Sequence, residues 1–199
     1  MEPFPRRAAI RNGETLLRTT DRTDETALLR RLQAGNEDAF EVLFERYQGR
    51  VYRYALRMSA SPETADDVVQ EVFLGLIRGA RGYDASCGSL GSYLYGMARH
   101  LLFRQMGPVR GEELEEDSAV ADFDPLEGLA AAESAERVRQ ALGALPAHYR
   151  EVVVLCDMEE LGYAEVAELL GLPVGTVRSR LHRARGLLVT RLSGERCRA

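Results

Sequence analysis

The stretch Tyr163-Ala164-Glu165-Val166-Ala167-Glu168-Leu169-Leu170-Gly171-Leu172-Pro173-Val174-Gly175-Thr176-Val177-Arg178-Ser179-Arg180-Leu181-His182-Arg183-Ala184-Arg185 decides the fold. Its apolar residues up to Leu170 fall three and four apart, which predicts a short amphipathic helix. Gly171-Leu172-Pro173 then predicts a tight turn, with Gly171 supplying the positive φ such a turn tends to need. A second helix is predicted from Val174 to about Leu192, with Val177, Leu181, Ala184 and Leu188 as its buried stripe. The small residue Ala167 stands four places before the turn glycine, where two crossed helices must approach closely. This is the grammar of a helix-turn-helix. Arg178, Ser179, His182, Arg183 and Arg185 fall off the buried stripe, as groups meeting a DNA groove and its phosphates would. An αα-hairpin with a solvated, arginine-rich surface fits the same pattern.

Upstream of this pair, Leu126 to Leu142 and Pro146 to Met158 read as helices, the second strongly apolar through Val152 to Leu155. Before them lies a stretch with a different character. Residues 107–135 carry nine acids against one arginine, with Pro108 and Pro125 and almost no large apolar residue before Leu126. Such a composition cannot bury a core and predicts an acidic flexible linker, residues 107–133.

The block on the other side of the linker is again helical. Leu28, Leu29 and Leu32 form a short apolar face that ends at Gly35. Asn36-Glu37-Asp38 then offers a cap and first-turn acids. Phe40, Leu43, Phe44, Tyr47, Val51, Tyr54, Ala55 and Met58 give a long second stripe. Ser61-Pro62-Glu63 starts a third helix, whose stripe is Val68, Val69, Val72, Phe73, Leu76 and Ile77. The turn from Gly82 to Gly88 precedes a fourth helix, Leu90 to about Met106. No alternating pattern suggests a strand. The expected fold is therefore all-α: two small helical domains, 24–106 and 134–194, joined by the linker. Residues 1–23 are expected to be a disordered extension and 195–199 a tail.

Composition bounds the function. The 199 residues carry a net charge of −5, and all 26 basic residues are arginine. No apolar run is long enough for a membrane span, and the first 20 residues have no signal-peptide core, so a cytoplasmic protein is expected. Cys87, Cys156 and Cys197 are scattered, which favours reduced structural thiols over a disulfide or zinc site. From Gly171 onward seven arginines face a single acid, Glu195, so an anionic partner is expected for this end of an acidic chain.

The helix-turn-helix segment resembles region four of the extracytoplasmic-function sigma factors of bacterial RNA polymerase. The first block resembles their region two through three stretches. These are Asp38-Ala39-Phe40 with Leu43-Phe44-Glu45-Arg46-Tyr47, then Ala65-Asp66-Asp67-Val68-Val69-Gln70-Glu71-Val72-Phe73-Leu74, and then Ser92-Tyr93-Leu94-Tyr95 with Ala98-Arg99. The resemblance implies a non-enzymatic role. Such a protein binds core RNA polymerase, recognises the minus-35 and minus-10 promoter elements and assists DNA opening, commonly under control of an anti-sigma factor. It implies no cofactor.

On that resemblance Asp66, Asp67, Gln70 and Glu71 meet the polymerase. Tyr93, Tyr95, Arg99, His100 and Arg104 meet the minus-10 element, where aromatic faces can stack on splayed bases. Thr176, Arg178, Ser179, His182, Arg183 and Arg185 meet the minus-35 element. Helical spacing equally allows Tyr93, Met97 and Leu101 to be core, and His100 to be an ordinary surface histidine. Tyr93 stands where the family commonly has Trp, and Gly91 and Gly96 where Arg is frequent. Two rival readings are a stand-alone helix-turn-helix regulator, which has no need of the Ala65–Leu74 constellation, and an enzyme. For the latter the sequence offers no nucleophile–base pair, metal-ligand cluster or phosphate-cradling loop, and its three histidines, at 100, 148 and 182, are scattered.

Overall fold

The computed structural model describes the backbone of residues 15–79, 83, 88–106 and 131–194, and the side chains of 24–79, 83, 88–105 and 136–193. Nearly all of the acidic linker, most of the turn before the fourth helix, Cys87, Cys197 and both termini lie outside the described residues. Every regular element that is described is helical.

Four helices make the first unit: α1 (Thr15–Gln33), α2 (Glu37–Ser59), α3 (Pro62–Gly79) and α4 (Leu90–Met106). Helix α1 begins at Thr15, inside the stretch expected to be a disordered extension. No glycine or proline interrupts it before Gln33. Asn36 caps α2 by accepting the Ala39 N–H at 2.9 Å, and Ser61 caps α3 by accepting the Thr64 N–H at 3.2 Å. Helix α2 is the axis of the unit. Its stripe Leu43, Tyr47, Val51, Tyr54, Ala55 and Met58 is buried, against Val68, Val72 and Leu76 of α3 and Leu90, Leu94, Ala98 and Leu102 of α4. Each fully buried Leu or Val contributes about 1.5–3 kcal/mol relative to exposure. Gly91 lies in this seam, where an added Cβ would stand 3.5 Å from Cε1 of Tyr47, so an arginine there would have to leave the α2–α4 interface. At Gly96 no neighbour would meet a Cβ. Ile77 departs from the expected stripe: it is 50% exposed, because the side of α3 that α2 and α4 cover is that of Ala65, Val68, Val72, Phe73 and Leu76.

The second unit contains α5 (Ala131–Gly143), α6 (Ala147–Val153), α7 (Tyr163–Leu170) and α8 (Val174–Gly194). The expected helix from Pro146 to Met158 is divided: α6 passes at Val154 into one π-helical turn, Val154–Met158. The turn shows in the five-residue step by which the Glu159 N–H donates to the Val154 carbonyl at 3.0 Å. Gly171 takes φ 67° at the end of α7, and Val177, Leu181 and Ala184 are buried as expected.

The two units do not stand apart as independent domains. Val154, Leu155, Leu161, Val166, Ala167 and Val177 join the same continuous core as α2, α3 and α4. A smaller core of Leu142, Leu145, Val152, Val153, Leu181 and Ala184 remains within the second unit. Among the described residues no helix is long and apolar enough to cross a membrane.

Candidate polymerase and nucleic-acid interfaces

Three surfaces carry the candidate residues. On α3, Asp66, Asp67, Gln70 and Glu71 are all exposed, on the side turned away from α2 and α4. Two apolar residues extend that surface, Leu74 at 41% exposure and Ile77 at 50%. Sequence reasoning placed Ile77 in the core. The signal available to it was Gln70, two helical turns earlier on the polar side of the same helix.

On α8, Arg178, Ser179 and His182 are exposed and Thr176 is half-buried. The Ser179 hydroxyl donates back to the Thr176 carbonyl at 3.0 Å, which holds that side chain close to the helix start. The Arg178 guanidinium lies 5.7 Å from the ring centre of Tyr163, the first residue of α7, a cation–π contact between the two helices of the motif. Arg183 makes no ion pair among the described residues. Arg185 is different: both arms of its guanidinium reach Asp157, Nε at 3.0 Å and Nη2 at 2.6 Å. Its fork ties α8 to the π turn, while the side chain remains 53% exposed.

On α4 the five minus-10 candidates separate. His100 and Arg104 are exposed. Tyr93 is half-buried, packed edge-on against Tyr83 with 5.4 Å between ring centres, and burial raises its hydroxyl pKa. Tyr95 is 1% exposed, and its hydroxyl donates to Glu159 at 2.6 Å. Arg99 donates from Nε to Glu151 at 2.8 Å while its guanidinium lies over the Phe103 ring. Tyr95 and Arg99 are thus both turned toward the second unit, Tyr95 covered and Arg99 half-buried.

The groups that cover them were not singled out from sequence. Glu151 of α6 is 4% exposed and also accepts a hydrogen bond from Tyr54 of α2 at 3.1 Å. Glu159, 2% exposed, receives Nη1 of Arg57 at 2.7 Å, with Arg50 and Arg53 each 3.8 Å away. Arg150 completes the seam. Its guanidinium donates to the carbonyls of Leu142, Gly143 and Leu145 at 3.0, 2.6 and 3.1 Å, closing the open end of α5, and to Met58 of α2 at 3.1 Å.

Among the described residues no group of His, Cys, Asp and Glu could hold a metal ion. Burial, with Asp157 beside it, pushes the Cys156 thiol up to about 11, so it is protonated and unreactive near neutral pH.

Two stretches of the chain match known families. Residues 43–106 match the family model of sigma-70 region 2, and residues 135–188 that of sigma-70, region 4. ECF RNA polymerase sigma factor SigM of Mycobacterium tuberculosis is 34% identical over 158 residues, covering 78% of each chain. RNA polymerase sigma-H factor of Pseudomonas aeruginosa is 32% identical over 173 residues, 79% of this chain and 88% of that one. ECF RNA polymerase sigma factor SigE of Mycolicibacterium smegmatis is 34% identical over 153 residues, but the match spans only 59% of its length. Among solved structures, CnrH in complex with the cytosolic domain of CnrY is 24% identical and superposes with a TM-score of 0.66, covering 85% of this chain and 97% of that one. The sigma factor RpoE of Bartonella quintana, solved with the anti-sigma factor NepR, gives 0.61 at 22% identity, covering 77% and 96%. At these identities the two structures support the fold alone. An all-α chain in which region two and region four occur in that order is a transcription initiation factor of the sigma-70 type. This chain belongs to the extracytoplasmic-function group of that family, the subunits that direct RNA polymerase to particular promoters.

Proposed function

We propose that the three surfaces divide the work of an alternative sigma factor in the cytoplasm. The acidic and apolar face of α3, Asp66, Asp67, Gln70 and Glu71 extended by Leu74 and Ile77, docks on core RNA polymerase. The start of α8 enters the major groove of a minus-35 element. Arg178, Ser179 and His182 read base edges there, Thr176 supports them, and Arg183 holds a phosphate. Arg185, committed to Asp157, positions the helix. Helix α4 meets the minus-10 element through Tyr93, His100 and Arg104, joined by Tyr95 and Arg99 once the second unit has moved away. The polymerase carries the chemistry, and this chain contributes recognition without catalysis of its own. An anti-sigma factor is the expected negative regulator, since RpoE of Bartonella quintana, a structure of similar fold, was solved with the anti-sigma factor NepR.

The observation that carries this reading is the exposure of the α3 polar face beside two uncovered apolar residues, on a chain whose helix-turn-helix leaves Arg178, Ser179 and His182 in solvent. A stand-alone repressor has no use for the first surface. Run-off transcription from purified core polymerase, with and without this protein, on DNA upstream of transcripts induced by its overproduction, tests the proposal. Initiation that depends on the protein supports it. Operator-like binding without any effect on initiation contradicts it.

A further inference from the structure

Glu151 and Glu159 are eight residues apart, which on an unbroken α-helix would separate them by about 80° of rotation. The π turn at Val154–Met158 inserts one residue into the helical count, and the pair then behaves as if about seven apart, within roughly 20° of one line. Both carboxylates consequently face the first unit. What they find there is one continuous cationic face: Arg50, Arg53 and Arg57 on α2 at three- and four-residue steps, and Arg99 on α4. Four guanidinium groups converge on two carboxylates, an excess of positive charge that region two keeps whether or not region four covers it.

We propose that Glu151 and Glu159 form a latch that closes region four over the arginine face of region two, occupying with their carboxylates the place that phosphates of promoter DNA take when the chain opens. The inference rests on the functional reading above, because only a promoter-binding chain brings DNA to this face. In the closed chain Tyr95 is sealed beneath the latch and the Arg99 guanidinium is held by Glu151, so the free protein has little affinity for the single strand it must later hold. The starting helix of the minus-35 surface, with Arg178, Ser179 and His182, stays in solvent. Closure therefore masks one promoter surface and spares the other. Opening needs a partner that separates the units, and docking of α3 on polymerase leaves the latch side of region two uncovered.

The test compares full-length chains that carry the same change of charge at adjacent positions. Glu159→Arg sets a fourth cation against Arg50, Arg53 and Arg57. Glu160→Arg makes the same change at an exposed neighbour outside the latch. Small-angle scattering of the free chains should show a larger radius of gyration for E159R alone. Fluorescence anisotropy with a short, mixed-sequence single-stranded oligodeoxynucleotide, without polymerase, should show E159R binding at least about tenfold more tightly than E160R. That is the gain expected when a competent state rises from about one molecule in ten to nearly all. Arg57→Glu, on the α2 side of the same contact, should open the chain by itself, and combining it with E159R should close the chain again, a reversal that loss of folding cannot produce. An E159R chain as compact as E160R, or one that opens without tighter oligonucleotide binding, overturns the proposal. Assembly with core polymerase is measured on the same samples. Failure of every chain to assemble would overturn the sigma reading, whereas normal assembly with an unchanged radius would overturn the latch alone.

Discussion

At the scale of single residues, the arginines of this lysine-free chain do unlike work, and their surroundings separate them. Arg178 sits in solvent at the start of α8, steadied against Tyr163. Its replacement by Ala should cost about 1–3 kcal/mol of holoenzyme binding and relax preference at one base position of the minus-35 element. Arg183→Ala should weaken all sequences alike and lower the salt slope by about 0.9. Binding to a panel of single-base variants at several salt concentrations separates the two, and exchanged phenotypes would mean that α8 lies rotated in the groove. Arg150 touches no proposed ligand surface. Its loss would strip partners from carbonyls of α5 and α2, and Arg150→Ala should lower stability by about 2–4 kcal/mol in urea unfolding. Sequence alone separated Arg178 from the buried stripe of α8 because the helical period does so. It could not mark Arg150 or the Asp157 hold on Arg185, since neither partner is fixed by local spacing.

At the scale of elements, local rules carried most of the helices. Asn36, Ser61 and Gly171 end or begin helices where their side-chain and backbone chemistry predicts. The π turn had no such signal. Val152 to Leu155 reads as an ordinary apolar run, yet the run is shared between two cores, Val152 and Val153 in the smaller one and Val154 and Leu155 in the one common to both units. Ile77 shows the opposite error: an apolar residue at helical spacing was assigned to the core, but it faces solvent beside the polar surface of α3. That exposure supports its use in docking. Charge reversal at Asp67 and Glu71 together should abolish holoenzyme formation while leaving the helical circular-dichroism signal intact, and Ile77→Asp should weaken assembly with equally little effect on folding. Unchanged assembly of the double variant would remove α3 as the docking element.

At the scale of the whole molecule, the sequence announced two units but not that they share a core. Linker composition says nothing about the surfaces it joins, and buried ion pairs between remote helices leave no periodic trace. Burial is the largest influence on Glu151 and raises its pKa above the ordinary range, against the opposing effects of Arg99 on α4, Tyr54 on α2 and Arg180 on α8. A carboxyl that is protonated more readily in the closed chain favours closure at low pH. That contribution fades as pH rises from the ordinary glutamate value through the raised one. The free chain should accordingly be slightly more compact near pH 5 than at pH 7.5, and Glu151→Gln should remove the pH dependence that this group contributes. Scattering across that range checks the sign, and expansion on acidification that Glu151→Gln abolishes would reverse it.

All of these readings depend on the chain acting as a sigma subunit, and promoter-dependent initiation tests that most directly. Core polymerase freed of its own sigma factors should start no specific transcript on the DNA upstream of the induced genes. Addition of this protein should produce one defined start site, and the D67R/E71R variant should fail to do so. A start site that forms equally well without the protein, or with the double variant, would contradict the account.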